Sequence, residues 1–365
     1  MRILFLGNFL PREYENRFLT LSAAGNQYQN NLIKALRKDN EVFSITYSGL
    51  PEVRLSEDER EELRRAGIVT CLPKVDGYYN FFNYRAAIRK AAQNADCIIT
   101  YNIIYLWFGL RRLIRNDKCK LILILADYTP PKEEHGWRKV YSWIMGRQFS
   151  KFDKVVLLSE NSKSYIEDEN KCEIINGCID WSMFEKMRMP EQNEECIIAY
   201  TGFISKVTGI ELLIKAFERM RNRKCKLIIS GQIDDQEKDF LERACRNNPN
   251  IDYWGYVDKK SYIALLQKSD ILVNPRDMSF RQNQYNFPSK ILEYLASGRI
   301  IVSTKFSGYR KYENFINFCE STPDALAEHL VDCMEKKNEI SREFYDKNRA
   351  FVQQFTWEKQ VGRFL

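Results

Sequence analysis

The stretch Asn286-Phe287-Pro288-Ser289-Lys290-Ile291-Leu292-Glu293-Tyr294-Leu295-Ala296-Ser297-Gly298 is followed, across Arg299, by the apolar run Ile300-Ile301-Val302. It reads as a turn, a short helix carrying a single acid, a glycine stop and a buried strand. A helix that begins just after Pro288 points its free backbone N–H groups and its positive dipole end at whatever precedes it, which suits a phosphate. Lys290 adds a full positive charge there. Glu293 lies about one turn further in, where a carboxylate can accept hydroxyl hydrogen bonds from a ribose. Together these residues describe a nucleotide-diphosphate site. The plain alternative is that β-α-β proteins commonly cap helices with Ser or Pro and stop them with Gly, leaving the glutamate as solvated surface.

Working outward, apolar runs of strand length alternate with longer helical patterns. Ile3-Leu4-Phe5-Leu6, Cys97-Ile98-Ile99-Thr100, Leu121 to Leu125, Val155 to Leu158, Leu227-Ile228-Ile229 and Ile271-Leu272-Val273 are runs of this kind. Continuous apolar strands of this type belong to parallel sheets covered on both faces, so the fold class is α/β, wound twice. With 365 residues, 44% hydrophobic and 29% charged, the chain exceeds what one core usually covers and is balanced as a globular protein of two domains.

The opening stretch resembles the donor-binding signature of the family-four retaining glycosyltransferases of GT-B architecture, in which two glutamates separated by seven residues surround a Gly-Phe-Pro turn. Phe287-Pro288 matches the turn and Glu293 the second acid, whereas Tyr285 stands at the first acid and Asn286 at the glycine. The Phe-Pro-Ser-Lys variant is similar to that of the polysaccharide-building branch. Ile174-Ile175-Asn176-Gly177-Cys178-Ile179-Asp180, with Phe184, resembles the segment that closes the family's first domain. Tyr200-Thr201-Gly202-Phe203-Ile204-Ser205-Lys206-Val207-Thr208-Gly209 resembles its glycine loop, with Phe203 and Thr208 at the usual basic positions and Lys206 left to supply charge. Tyr253-Trp254-Gly255-Tyr256-Val257 falls where the family's main chain holds the base, and Asp270 to Arg276 forms a strand running into the donor cleft.

The resemblance implies two Rossmann-like domains facing a central cleft, with a C-terminal helix returning to the first domain and Trp357 as its anchor. The expected boundaries are 1–186 for an acceptor domain, 187–195 for a hinge-like linker, 196–340 for a donor domain and 341–365 for the returning helix. It also implies donor contacts from Gly25, Asn26, Gly202, Lys206, Val257, Arg276, Asn286, Phe287, Ser289, Lys290 and Glu293. An acid at the carboxyl end of a central strand faces the crevice of a doubly wound fold, which makes Asp127 a candidate for the acceptor hydroxyl; His135 lies in the loop beyond it. Gly25 and Asn26 read equally well as an ordinary helix start, and His135 as a solvated loop residue.

A retaining transfer needs a carboxylate beneath the sugar or same-face attack assisted by the leaving diphosphate. With Tyr285 at the acid position, the expectation is same-face attack, with Lys206, Lys290 and the N–H groups near Ser289 stabilising the diphosphate, Asp127 on the acceptor, and no metal or other cofactor. Asp234-Asp235 could suggest a metal, but adjacent acids after a strand and a glycine read more simply as a solvated turn. The alternatives are a sugar-nucleotide epimerase or hydrolase of the same architecture, for which two histidines in the whole chain are few, and a non-catalytic partner, suggested by Phe203, Thr208 and Tyr285.

The partners expected are a nucleotide sugar and a glycan or undecaprenyl-linked glycan of bacterial capsule, lipopolysaccharide or exopolysaccharide. A net charge of +7, from 56 basic and 49 acidic residues, permits an anionic membrane surface, and no concentrated basic face or known module marks a nucleic-acid binder. Ten cysteines without a Cys-x-x-Cys pair read as reduced, mostly buried apolar residues. No apolar span of about eighteen residues and no signal-peptide layout are found, so a cytoplasmic protein is expected. Two stretches, Tyr78 to Arg85 and Trp137 to Met145, mix aromatic and basic residues. Facing the first domain's core is the favoured expectation for their aromatics, and resting on a bilayer interface the other.

Overall fold

The computed structural model describes residues 1–11, 23–47, 56–71, 81–102, 118–126, 128–191, 194–220 and 223–365. They form two compact units: Met1–Leu158 with Ser162–Ile175 and Trp357–Leu365, and Ser159–Asn161 with Asn176–Thr356. Asp127 and the aromatic stretch Tyr78–Asn80 lie outside the described residues.

The first unit is built on parallel strands β1 (Arg2–Gly7), β2 (Glu41–Tyr47), β3 (Ile68–Cys71), β4 (Cys97–Tyr101), β5 (Lys120–Leu125), β6 (Lys154–Leu157) and β7 (Cys172–Ile174), in the order β3-β2-β1-β4-β5-β6-β7. β1 and β4 pair with Ile3 opposite Cys97 and Leu6 opposite Thr100, so the strand order reverses there. Leu4, Leu6, Ile98, Leu121, Leu123 and Val155 project to one face, against Ile88, Met145 and Phe149 from the covering helices. At Gly7, the last residue of β1, a Cβ would stand 2.5 Å from Gln29 Oε1.

The second unit repeats the plan with β8 (Cys196–Thr201), β9 (Cys225–Ser230), β10 (Ile251–Tyr253), β11 (Ile271–Asn274), β12 (Ile300–Thr304) and β13 (Asn317–Cys319), ordered β10-β9-β8-β11-β12-β13 and all parallel. Alternate residues serve two cores. Ile198, Tyr200, Leu227, Ile229, Ile271 and Val273 face one layer, and Ile197, Ala199, Ile228, Leu272 and Ile301 face another that contains Ile291, Leu292 and Leu295. The reversal of order lies between β8 and β11, and crevices for ligands open at the carboxyl ends of strands at such a point. Cys196, Cys225 and Cys319 are buried as small apolar residues, and desolvation pushes the Cys225 thiol up to about 11.

Three expectations change. The boundary at 186 moves to Ile175/Asn176, because Asn176–Met187 is packed into the second unit: Tyr312 donates to Asn176 Oδ1 at 3.1 Å, Ile179 N–H to the Phe355 carbonyl at 2.9 Å, and Phe184 and Met187 are buried beside Leu292. The boundary at 341 moves to Thr356/Trp357, because the helix Pro323–Val352 runs through residue 341 without a break. The linker 187–195 is not a free hinge at its start. Tyr345 donates to the Met187 carbonyl at 2.7 Å and Arg299 to the Arg188 carbonyl at 2.8 Å.

The last helix, Trp357–Phe364, belongs to the first unit, as expected of a returning segment, and Trp357 packs edge-on against Tyr28 with ring centroids 5.1 Å apart. The helix Trp137–Phe149 overturns the core expectation for Trp137 and Trp143, while Tyr141 packs against the core as expected. The helix buries Ser142, Met145, Gln148 and Phe149 and leaves Trp137, Val140, Trp143 and Ile144 exposed. No described helix is long and apolar enough to cross a membrane.

Candidate functional site

At the carboxyl end of β8 the chain leaves Thr201 through Gly202, whose φ of 120° belongs to a region glycine occupies easily. The backbone crowds here. Gly202 N–H donates to the Ser230 carbonyl and Gly231 N–H to the Gly255 carbonyl, each at 2.9 Å, and a Cβ on Gly231 would fall 1.7 Å from the Gly202 oxygen. Gly231 thus lets the ends of β8 and β9 meet as bare main chain.

The loop beyond Gly202 is closed by its own hydroxyls. Thr208 Oγ1 accepts from Ser205 N–H at 3.0 Å and donates to the Phe203 carbonyl at 2.8 Å, and Tyr200 donates to the same carbonyl at 2.6 Å. Thr208, at the expected lysine position, is therefore a loop-closing residue. Phe203 is exposed, and exposed Lys206 pairs with Glu211 at 3.8 Å. The loop ends at Gly209, with φ of 87°, where a Cβ would sit 1.7 Å from the Pro275 carbonyl oxygen after β11.

Two cations stand at this junction. The helix Lys290–Ser297 starts at Ser289, which makes no side-chain cap, and stops at Gly298 in the left-handed conformation. Lys290 Nζ donates to the Thr201 carbonyl at 3.2 Å and sits 3.7 Å from the Tyr200 ring centroid. Burial holds this ammonium well below the ordinary lysine range, and neighbouring Arg276 lowers it further. Arg276 is itself desolvated; one terminal nitrogen donates to Asn283 Oδ1 at 2.8 Å, while its buried Nε has no hydrogen-bond partner in the protein. Two like charges in a low-dielectric place repel, and an anion between them relieves both.

Glu293, one turn into the same helix, accepts a hydrogen bond from the Tyr262 hydroxyl through Oε2. Burial raises its carboxyl pKa, against the lowering effects of Tyr262 and Lys259. Phe287 differs from its expected donor role. Its ring is buried against Phe306 and Tyr312, at centroid distances of 5.3 and 5.5 Å, so the side chain is core and only its main chain can line a site. Asn286 and Ser289 are exposed and Val257 is half-buried. Asp234 caps Gln236 N–H and Asp235 pairs with Lys238, as the turn reading expects.

The sequence did not single out Asn283. It is fully buried, and its amide donates to the carbonyls of Val207 and Asp277, both at 2.7 Å, while its oxygen holds Arg276. One side chain therefore ties the glycine loop, the end of β11 and the turn before Phe287. Tyr262 was also missed.

The remaining expected residues belong to the first unit. Asn26 is buried, and its amide bonds both the N–H (2.7 Å) and the carbonyl (2.9 Å) of Leu10, which fixes the loop after β1. The Gly25 carbonyl accepts from Gln29 at 3.1 Å, and His135 is exposed.

Residues 195–336, within the second unit, match the family model described as Glycosyl transferases group 1. No curated protein sequence matches the chain. Among solved structures, HepE from Anabaena in complex with UDP is similar, with a TM-score of 0.72 at 13% identity, covering 100% of this chain and 99% of that one. A glycosyltransferase from Rickettsia africae gives 0.73 at 16% identity, covering 99% and 96%. The lipopolysaccharide outer core galactosyltransferase WaaB gives 0.65 at 12%, covering 100% and 98%. The chain has the GT-B fold of two Rossmann-like α/β units, and its second unit carries the match to the group 1 glycosyl transferases.

Proposed function

We propose that the chain is a retaining glycosyltransferase that moves a sugar from a nucleotide-diphosphate donor to a hydroxyl of a glycan or lipid-linked glycan in bacterial surface-polysaccharide assembly. The observation that carries this reading is the juxtaposition of Lys290 and Arg276 at the strand-order reversal, with Glu293 one turn along the same helix. The cations suit a diphosphate, and a carboxylate suits the ribose hydroxyls beside it. The family match over residues 195–336 supports a nucleotide-sugar donor, and the structural relative HepE has been crystallised with UDP and with UDP-glucose.

The leaving diphosphate gains negative charge as the glycosidic bond breaks. Lys290, Arg276 and the N–H groups that open the Lys290–Ser297 helix stabilise that charge, with Lys206 contributing from the loop. Same-face attack follows, in which a diphosphate oxygen helps take the acceptor's proton; Tyr285 stands where a carboxylate nucleophile would be expected. Asp127 and His135 serve the acceptor in this scheme, Gly202 offers main chain to the donor, and the reaction runs without a metal on the cytoplasmic side of the membrane.

A thermal-shift screen against UDP, GDP, ADP and CMP, with Glu293→Ala alongside, tests the donor site. One nucleoside diphosphate is expected to stabilise the protein, by about 2.7 kcal/mol at a hundred times its Kd, and to lose most of that effect in the variant. If no nucleotide stabilises the wild type, the non-catalytic alternative takes its place.

A further inference from the structure

We propose that the outer face of the Trp137–Phe149 helix is a docking surface for an anionic lipid bilayer. The helix reads Trp-Arg-Lys-Val-Tyr-Ser-Trp-Ile-Met-Gly-Arg-Gln-Phe, and only part of its apolar surface is turned inward. Met145 and Phe149 turn inward beside Ser142 and Gln148, while a second apolar stripe stays outward with Trp137 at 72% exposure, Val140 at 58%, Trp143 at 51% and Ile144. Large apolar side chains gathered on one exposed face, flanked by charge, mark a surface that meets something less polar than water.

Charge identifies the occupant. The helix contains no acid, and Arg138, Lys139 and Arg147 are all exposed. Arg147 lies over the Trp143 ring at 4.4 Å, and Trp137 meets Tyr141 edge-on at 6.0 Å, so the aromatic and cationic groups are already ordered. Lys132 precedes the helix and Lys151 follows it, the latter donating to Gln148 at 2.7 Å; Glu133 and Glu134 in the preceding turn are half-buried and offset part of this charge. Indole rings at headgroup depth, aliphatic side chains beneath them and cations on lipid phosphates are what an anionic interface accommodates. A second copy meeting this face about a two-fold axis would set the same cations against themselves, which disfavours self-association as the explanation.

The test uses the full chain and vesicles, and does not depend on the donor chemistry. Co-sedimentation is measured with vesicles of phosphatidylcholine alone and of an equimolar mixture with phosphatidylglycerol, at low and high salt. The wild type is expected to partition onto the mixed vesicles only, with a blue shift of tryptophan emission and release by salt. The Trp137→Ser/Trp143→Ser double variant should abolish partitioning. Arg138→Gln and Lys139→Gln should each weaken it by about fivefold. All four side chains are exposed, so circular dichroism should confirm that the variants stay folded. The proposal is overturned if the wild type does not partition at low salt, if the double variant partitions as well as the wild type, or if the face closes a concentration-dependent dimer in place of binding vesicles.

Discussion

The Tyr262 hydroxyl donates a hydrogen bond to Glu293 Oε2, linking the helix Lys259–Lys268 to the helix Lys290–Ser297. Burial keeps this phenol far above its usual pKa, so it remains a donor at any ordinary pH and holds one carboxylate oxygen in place. A hydroxyl bond to a charged group contributes roughly 1.5–3 kcal/mol. Tyr262→Phe should therefore weaken binding of the stabilising nucleoside diphosphate about tenfold, and Glu293→Ala more. Calorimetric titration of the two variants and the double variant checks this: an unchanged Kd in Tyr262→Phe, or additive losses in the pair, would mean that Tyr262 does not act through Glu293.

Gly209 joins the glycine loop to the end of β11 by contact of bare backbone. An alanine Cβ there would meet the Pro275 carbonyl oxygen at 1.7 Å and would also sit at a φ of 87°. Neither partner is a flexible side chain that could move away. Gly209→Ala should cost more than about 3 kcal/mol in chemical denaturation, the range of core and backbone-strain mutations, and should abolish nucleotide stabilisation. A variant as stable as the wild type would show that the loop yields at no cost.

Much of this arrangement was legible because it is local. The apolar runs give the strands, Gly298 stops the helix where the pattern ends, and the distance from Lys290 to Glu293 is fixed by helical geometry alone. Partners from distant elements were not legible. Tyr262 lies on an ordinary-looking helix, and Asn283 sits among glutamines as in any polar turn; only the fold brings them to Glu293 and Arg276. Thr208 looked like a lost lysine because its hydroxyl bonds depend on loop geometry. Trp137, Val140, Trp143 and Ile144 have the spacing of a core stripe, and spacing cannot tell which side of a helix the sheet covers. The boundary at 186 failed for a similar reason. Asn176–Met187 is anchored by Phe355, Tyr312 and Tyr345, far along the chain.

Asn283→Ala removes the partners of the Val207 and Asp277 carbonyls and of one Arg276 nitrogen in a single step. Each buried polar group left without a partner costs about 1–3 kcal/mol, so a loss of roughly 3 kcal/mol in unfolding free energy is expected. A stability loss alone would also follow from a purely structural role. The discriminating readout is the affinity for inorganic pyrophosphate in calorimetry, which should fall at least severalfold as Arg276 loses its orientation, whereas Asn283→Ser, whose hydroxyl keeps an acceptor for Arg276, should retain part of it.

Lys290 is a cation held where desolvation and Arg276 both disfavour its charge, so its removal should stabilise the ligand-free protein while destroying the site. The sign follows from proton linkage. With the folded pKa below the unfolded value of about 10.4, the unfolded chain binds more protons between the two, so stability rises with pH across that window; below it the penalty of the buried charge is present in full. Lys290→Met keeps an aliphatic stem beside Gly202 and removes both penalty and slope, at the loss of the bond to Thr201 and of the ammonium's contact with the Tyr200 ring. Its melting temperature at neutral pH should equal or exceed that of the wild type by a few degrees, about 2–4 °C per kcal/mol, and its stability should vary less from neutral pH to pH 10. Nucleoside-diphosphate stabilisation should disappear. A variant that melts lower yet still binds the nucleotide would instead make Lys290 a structural residue of the Thr201 turn, and would leave Arg276 as the cation on which a diphosphate depends.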